Sequence, residues 1–207
     1  MIEIVKPMDI EKRSFEIITE LLGDNQPDPE TAPVVKRVIH TTADFEYREN
    51  LVFSEHAVEK GIEALRGGCH IVTDTHMAMA GINKTILGRL GGEVHCFMAD
   101  PDVAEEAKNR GITRAAVSME RAAALDKPCI FAIGNAPTAL MALKDLMDAG
   151  KVRPALIIGV PVGFVNVVES KERIIGYDVP YIVARGRKGG SNVAAAICNA
   201  LLYQIQR

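Results

Sequence analysis

The chain has no tryptophan, and aromatic residues make up only 5% of its 207 residues, so aliphatic and methionine side chains must fill its core. No stretch reaches the roughly 20 consecutive apolar residues of a membrane-spanning helix. The start, MIEIVKPMDIEKRSF, has neither the apolar centre nor the small-residue cleavage site of a secretory signal. No block of like charges occurs, and the formal net charge is −3. That balance argues against a nucleic-acid-binding protein, which would carry a basic face or stripe. It leaves room for an anionic small molecule held by local groups. The four cysteines, Cys69, Cys96, Cys129 and Cys198, form no C-x-x-C pair, and read as buried free thiols of a reducing compartment. A soluble cytoplasmic protein is expected.

Several chemical signatures are also missing. The five histidines fit no H-E-x-x-H or comparable zinc spacing, so no protein-bound metal is expected. No G-x-G-x-x-G follows the early strands, which weakens a dinucleotide reading. The absence of G-x-S-x-G removes the usual hydrolase elbow.

What is present is an alternation of short apolar runs with helical patterns, in a length that fits one domain, 1–207. Asp9 can cap a helix whose apolar residues Ile10, Phe15, Ile17, Ile18, Leu21 and Leu22 lie mostly on one face, with Gly23 as its stop. A loop follows, and Pro33 opens a second helical stretch, VVKRVIHTT. After Leu51–Phe53, strands are expected at His70–Thr73, 94–98, Cys129–Ile133, 155–160 and Tyr181–Ala184. Helices are expected at 55–66, 84–90, 103–110, 114–125, 137–149 and from Asn192 to near the end, with Asp102 and Glu105 as a capping box. Runs such as CIFAIG and ALIIGV are apolar on both alternations, as in strands buried on both faces of a parallel sheet. The pattern predicts a doubly wound α/β domain with a mostly parallel sheet of about five strands and an N-terminal helical segment.

In such sheets ligands lie beyond the carboxyl ends of the strands, and three segments fall there. In IGNAPTAL a strand ends at Gly134-Asn135 and Pro137 opens a helix. Such a turn leaves outward-pointing amides that favour anions, or is simply a tight connection. In ARGRKGGSNVAAAICNAL, Arg185, Arg187 and Lys188 precede Gly189-Gly190-Ser191 and a small-residue helix. Cations and a helix N-terminus together suit a carboxylate or phosphate, although the order is not that of a Walker A loop and a solvated basic loop reads the same way. In VIHTTADFEY, His40 lies near a helix end, where the partial negative charge favours protonated imidazole, while Lys36 and Arg37 oppose it. It is either a proton donor or a capping and packing residue. Asp74 or His76, after the His70–Thr73 run, could face a cleft.

These residues carry a family resemblance. The segments IEKRSFEII (10–18), RVIHTTADFE (37–46), DTHMAMAGI (74–82), TRAAVSME (113–120), IGNAPTAL (133–140), IIGVPVGFVNVVESKE (157–172) and GRKGGSNVAAAICNAL (186–201) run in order over nearly the whole chain. Together they resemble the precorrin-8X / cobalt-precorrin-8 methylmutase family. The chain departs from the family pattern at Asn166, Val167 and Ser118, where smaller residues are expected.

The resemblance implies a flavodoxin-like fold, a homodimer, and an isomerase of cobalamin (corrin) biosynthesis that moves a methyl group from carbon 11 to carbon 12 of the macrocycle. It implies no cofactor, since the migrating methyl is already on the ring and cobalt, if present, belongs to the tetrapyrrole substrate. His40 matches the catalytic histidine, with the role of protonating or hydrogen-bonding a ring nitrogen, and Asp44 or Glu46 could help keep it charged. Arg13, Ser14, Arg114, Gly134, Asn135, Arg187, Lys188 and Ser191 are the expected contacts to the carboxylate rim, and Thr75, Met77 and Met79 to the apolar floor. The alternatives are a non-catalytic corrinoid-binding or delivery protein, and a nucleotide-dependent transferase using IGNAPTA for phosphate.

Overall fold

A computed structural model describes residues 6–206. Six strands, β1 (Leu51–Phe53), β2 (His70–Thr73), β3 (Val94–His95), β4 (Cys129–Ile133), β5 (Leu156–Gly159) and β6 (Tyr181–Ala184), form one sheet in the order β1-β6-β5-β4-β2-β3. All neighbours are parallel except β1, which runs antiparallel along the edge of β6 with Leu51 opposite Ala184. Around them lie α1 (Ile10–Leu22), α2 (Ala32–Thr42), α3 (Tyr47–Asn50), α4 (Ala57–Arg66), α5 (His76–Gly81), α6 (Lys84–Arg89), α7 (Pro101–Arg110), α8 (Arg114–Ala122), α9 (Pro137–Asp148), α10 (Val167–Glu172) and α11 (Ser191–Ile205).

The doubly apolar runs are explained by a core on each face. In β4, Ile130 and Ala132 enter one core while Cys129, Phe131 and Ile133 enter the other; in β6, Ile182 and Ala184 alternate in the same way with Tyr181 and Val183. The first core is closed by α1, α2, α4 and α11, through residues such as Val38, Leu65 and Leu201. The second is closed by α8 and α9, through Met119, Leu140 and Leu143. Each such buried side chain contributes roughly 1.5–3 kcal/mol relative to exposure. The small residues of α11 let it sit deep between α2, α4, α5 and the sheet, with Ala194, Ala195, Ala196 and Ala200 all buried.

Several sequence expectations are corrected. Asp9 ends a short 3-10 turn and makes no side-chain cap; Gly23 does terminate α1, with its amide on the carbonyls of Thr19 and Glu20. The expected capping box at Asp102 does not form, because Pro101 already opens α7 and Asp102 turns instead to Arg121 at 2.6 Å. The strand expected over 94–98 pairs only at Val94 and His95, since the chain then turns, Asp100 donating its amide to Phe97. The short helices α3, α5 and α10 stand in addition to the expected ones; at four to six residues, each offers less than two turns of apolar periodicity. Among the described residues, no helix is long and apolar enough to cross a membrane.

The chain steps outward from β2 to β3, then crosses back to place β4 on the other side of β2. The order therefore reverses between β2 and β4, and the loops beyond their carboxyl ends flank the switch-point crevice where ligands of open α/β sheets sit.

Candidate active site

The crevice is bridged by one side chain. Asp74, 1% exposed and directly after β2, accepts the amide of Gly134 at 2.8 Å through Oδ1, and those of Asn135 at 2.8 Å and Ala136 at 2.6 Å through Oδ2. The amides that feed α9 are thus taken up by the protein's own carboxylate, correcting the expectation that they point outward to a bound anion. Burial pushes the Asp74 pKa up, and the three amides act in the opposite direction. The side chain of Asn135 is exposed.

Next to Asp74, Thr75 caps α5 by accepting the amide of Ala78 at 3.1 Å, and its hydroxyl shares a 2.7 Å hydrogen bond with Ser191 at the start of α11. The two loops approach so closely that only glycine fits at 134: a Cβ there would lie 2.7 Å from Ser191 Cα and 2.8 Å from the Gly190 carbonyl oxygen. Gly189 is equally confined, a Cβ there falling 2.1 Å from the carbonyl oxygen of Val160, beyond β5. The ends of β2, β4 and β5 and the start of α11 are thereby locked together. Thr113, beside the exposed Arg114, donates to Thr138 at 3.0 Å and brings the start of α8 to the start of α9.

His40 projects from the last turn of α2, exposed, with its ring stacked on Phe15 of α1 (centroids 5.4 Å apart, planes at 18°). Among the described residues, neither ring nitrogen has a hydrogen-bond partner. It edges a surface hollow of about 340 Å³ with Thr41 of α2, Gly81 of α5 and Asn192, Ala195 and Asn199 of α11. Arg37, one turn back, is engaged elsewhere: it pairs with Glu11 and lies 4.8 Å over the Phe15 ring and 5.1 Å over that of Tyr203. Asp44 and Glu46 make no ion pair with His40. Both hold Lys188, at 2.5 and 2.9 Å, and this ammonium keeps the Asp44 carboxyl below the usual range. A larger hollow of about 420 Å³ lies among Ser54, Lys60, Arg153 and Asp178, beside the amino ends of β5 and β6 and away from the crevice.

The expected rim residues divide into committed and open groups. Arg13 pairs with Glu20 at 3.3 Å and Glu16 at 3.6 Å, and Ser14 donates back to the Ile10 carbonyl. Lys188 is committed to its two carboxylates. Arg114 and Arg187 are exposed, and neither has an ion-pair partner among the described residues. Met77 is 71% exposed beside the capped Thr75, whereas Met79 is half-buried.

Three features escaped the sequence reading. One is the role of Asp74 as internal anion. The second is an exposed apolar tip after β5, Phe164 at 84% and Val165 at 78% exposure, tied to the cationic loop by the Gly163 amide on the Arg187 carbonyl at 3.2 Å. The third is Lys171 in α10, wholly buried, donating to the carbonyls of Gly186 at 2.9 Å and Lys188 at 2.8 Å. Of the departures from the family pattern, Asn166 sits at φ 57, a left-handed conformation that asparagine tolerates next best to glycine. Val167 is buried, and Ser118 is enclosed with its hydroxyl 3.5 Å from Met98 Sδ. The cysteines are all free; burial pushes Cys69 and Cys198 up to about 12 and Cys129 to about 11, which makes these three poor nucleophiles. Among the described residues, no cluster of three or more His, Cys, Asp or Glu could hold a metal ion.

Known proteins resemble the chain throughout this framework. The family model described as precorrin-8X methylmutase matches residues 9–204. A cobalt-precorrin-8 methylmutase of Priestia megaterium is 47% identical over 95% of this chain and 88% of its own, and one of Salmonella typhimurium is 46% identical over 98% of each. The solved precorrin-8x methyl mutase of Thermus thermophilus superposes with a TM-score of 0.85 at 41% identity, covering 94% of this chain and 96% of that one. With its sheet, crevice and His40 segment all inside the matched span, the chain belongs to the precorrin-8X methylmutase family.

Proposed function

We propose that this protein is an isomerase of corrin biosynthesis that shifts a methyl group from carbon 11 to carbon 12 of precorrin-8 or its cobalt-containing counterpart, giving hydrogenobyrinic or cobyrinic acid. The observation that carries this reading is the family match across residues 9–204. The strand order supports a flavodoxin-like fold: the five parallel strands, renumbered among themselves, run 2-1-3-4-5. The chain acts as one cytoplasmic domain, in a homodimer. Ile10, Ile17 and Leu21, exposed at spacings that fall on one face of α1, offer an apolar surface for a second copy.

His40 is the proton donor. Its ring nitrogens are uncommitted among the described residues, its ring plane is held by Phe15, and it borders a hollow shared with the start of α11. Protonating or hydrogen-bonding a ring nitrogen makes the conjugated macrocycle a better electron sink for the migrating methyl, and a donor oriented beforehand needs no reorganisation. The reaction needs no external methyl donor, and any cobalt belongs to the substrate. Around the ring, Arg114, Arg187, Asn135 and Ser191 meet the carboxylate rim, with Arg13, Ser14, Gly134 and Lys188 supporting it, while Thr75 and Met77 meet the apolar face. The capture of the Gly134–Ala136 amides by Asp74 weighs against a phosphate ligand at that turn.

The test is an absorbance titration with hydrogenobyrinic and cobyrinic acids alongside a turnover assay on both forms of precorrin-8, for wild type and His40→Ala. Stoichiometric binding by both proteins with turnover lost in the variant is the expected result. Binding by wild type with no turnover of either substrate would make the protein a corrinoid carrier instead.

A further inference from the structure

The ammonium of Lys171 is the one wholly buried cation among the described residues, and it faces no carboxylate. Its two hydrogen bonds go to the carbonyls of Gly186 and Lys188. Leaving a charge in the interior with no counter-ion is unfavourable, and a methionine would fill the same space without that cost. The arrangement therefore needs a reason beyond packing, and the loop that it grips supplies one. The carbonyl between the two, that of Arg187, is held from another side by the Gly163 amide at 3.2 Å. Three consecutive carbonyls are thus pinned, and downstream Gly190 donates to Val160 at 2.9 Å. What remains unpinned is the guanidinium of Arg187, which stands exposed on the residue between the two anchored carbonyls and has no ion-pair partner among the described residues. Burial also lowers the Lys171 pKa to about 8, and even as a neutral amine it would keep two N–H donors for its two carbonyls.

We propose that Lys171 is a positioning residue for substrate binding: it fixes the 186–188 segment so that Arg187 meets a carboxylate on the rim of the macrocycle. The proposal rests on the reading of Arg187 as a rim contact. It concerns affinity and leaves the proton chemistry of His40 untouched, so the two readings separate experimentally.

The experiment compares wild type, Lys171→Met, Lys171→Arg, Arg187→Ala and the Lys171→Met/Arg187→Ala double variant. Dissociation constants for hydrogenobyrinic acid are measured by absorbance titration, and kcat and KM in the turnover assay. Lys171→Met should raise Kd and KM about tenfold with kcat at saturation within about twofold, in line with the loss of one charge-assisted contact. Lys171→Arg should recover most of the lost affinity, and because it keeps the charge it also serves if the methionine variant fails to fold. The double variant should bind no more than about twofold worse than Arg187→Ala alone, because Lys171 acts through Arg187. If Arg187→Ala weakens binding while Lys171→Met and Lys171→Arg both bind as wild type, the positioning role is wrong and the rim reading stands. Losses that multiply in the double variant would likewise overturn the proposal and leave Lys171 a general support of the fold. An Arg187→Ala protein with wild-type affinity would remove the rim contact and the proposal with it.

Discussion

Asp74 reaches across the switch point of the sheet to accept the amide of Gly134 at 2.8 Å, so that the end of β2 is tied to the end of β4 by a carboxylate. Two further amides complete the cradle. Replacing Asp74 by alanine would leave three donors orphaned around a small void. The expected outcome is a loss of about 3 kcal/mol or more in denaturant stability, together with weakened corrinoid binding. Added phosphate or acetate should restore part of that stability by filling the vacated nest. An Asp74→Ala protein as stable as wild type would show that the cradle is not a structural tie.

His40 lies on the surface against one face of Phe15, so its truncation should cost under about 1 kcal/mol of stability while turnover falls by roughly 10²–10⁴. His40→Gln adds a finer reading. Its amide nitrogen can donate a hydrogen bond but cannot hand over a proton. Recovery of most of the rate in the glutamine variant would favour hydrogen bonding over proton transfer; no recovery is the expected result for a proton donor.

Arg187 and Lys188, two of the three cations of the 185–189 loop, should behave differently. Lys188 is already neutralised by Asp44 and Glu46, whereas Arg187 has no ion-pair partner among the described residues. Arg187→Ala should weaken binding of hydrogenobyrinic acid by about tenfold. Lys188→Ala should act mainly by releasing Asp44 and Glu46, with a smaller direct effect on binding. Titrations in parallel decide this, and equal losses in the two variants would mean that both cations contact the ligand.

Lys171 should leave a signature in the pH dependence of stability. Its folded pKa of about 8 lies below the ordinary 10.5, so the unfolded chain binds more protons between these values. Stability from this group therefore rises with pH across that window and is lost as pH falls through 8. The full difference is roughly 3 kcal/mol. The stability of wild type relative to Lys171→Met should accordingly increase between pH 7 and pH 10, measured by urea denaturation of both proteins. A difference constant with pH would mean that the buried amine does not titrate there.

Much of the fold was legible from local pattern. The strands at His70–Thr73, Cys129–Ile133 and Tyr181–Ala184 occur as predicted, because a strand covered on both faces shows as a short run of mostly apolar residues, at every position in Cys129–Ile133 and around the central Ile71-Val72 in His70–Thr73. Gly23 stops α1 for a local reason too, since glycine adopts the conformation at φ 52 without strain. Capping was less legible. Asp102 satisfies the capping-box pattern, yet Pro101 starts the helix earlier and Arg121, 19 residues away, claims the carboxylate.

The chemistry-bearing segments could also be named from the sequence, since each combines residue types that suit anions or protons at an element's end. Their partnerships could not. That Asp74 fills the nest at Gly134, that Asp44 and Glu46 serve Lys188 and leave His40 alone, and that Lys171 grips the loop around Arg187 are all contacts between residues distant in the chain or on different elements. A sequence determines which groups must be buried and which backbone conformations each residue tolerates, because these depend on local chemistry and periodicity. Which charge neutralises which, and which cation remains free for a ligand, is decided only when the parallel strands bring their loops to one end of the sheet. Electrostatic pairing depends on distance in space, and the tertiary fold alone sets that distance.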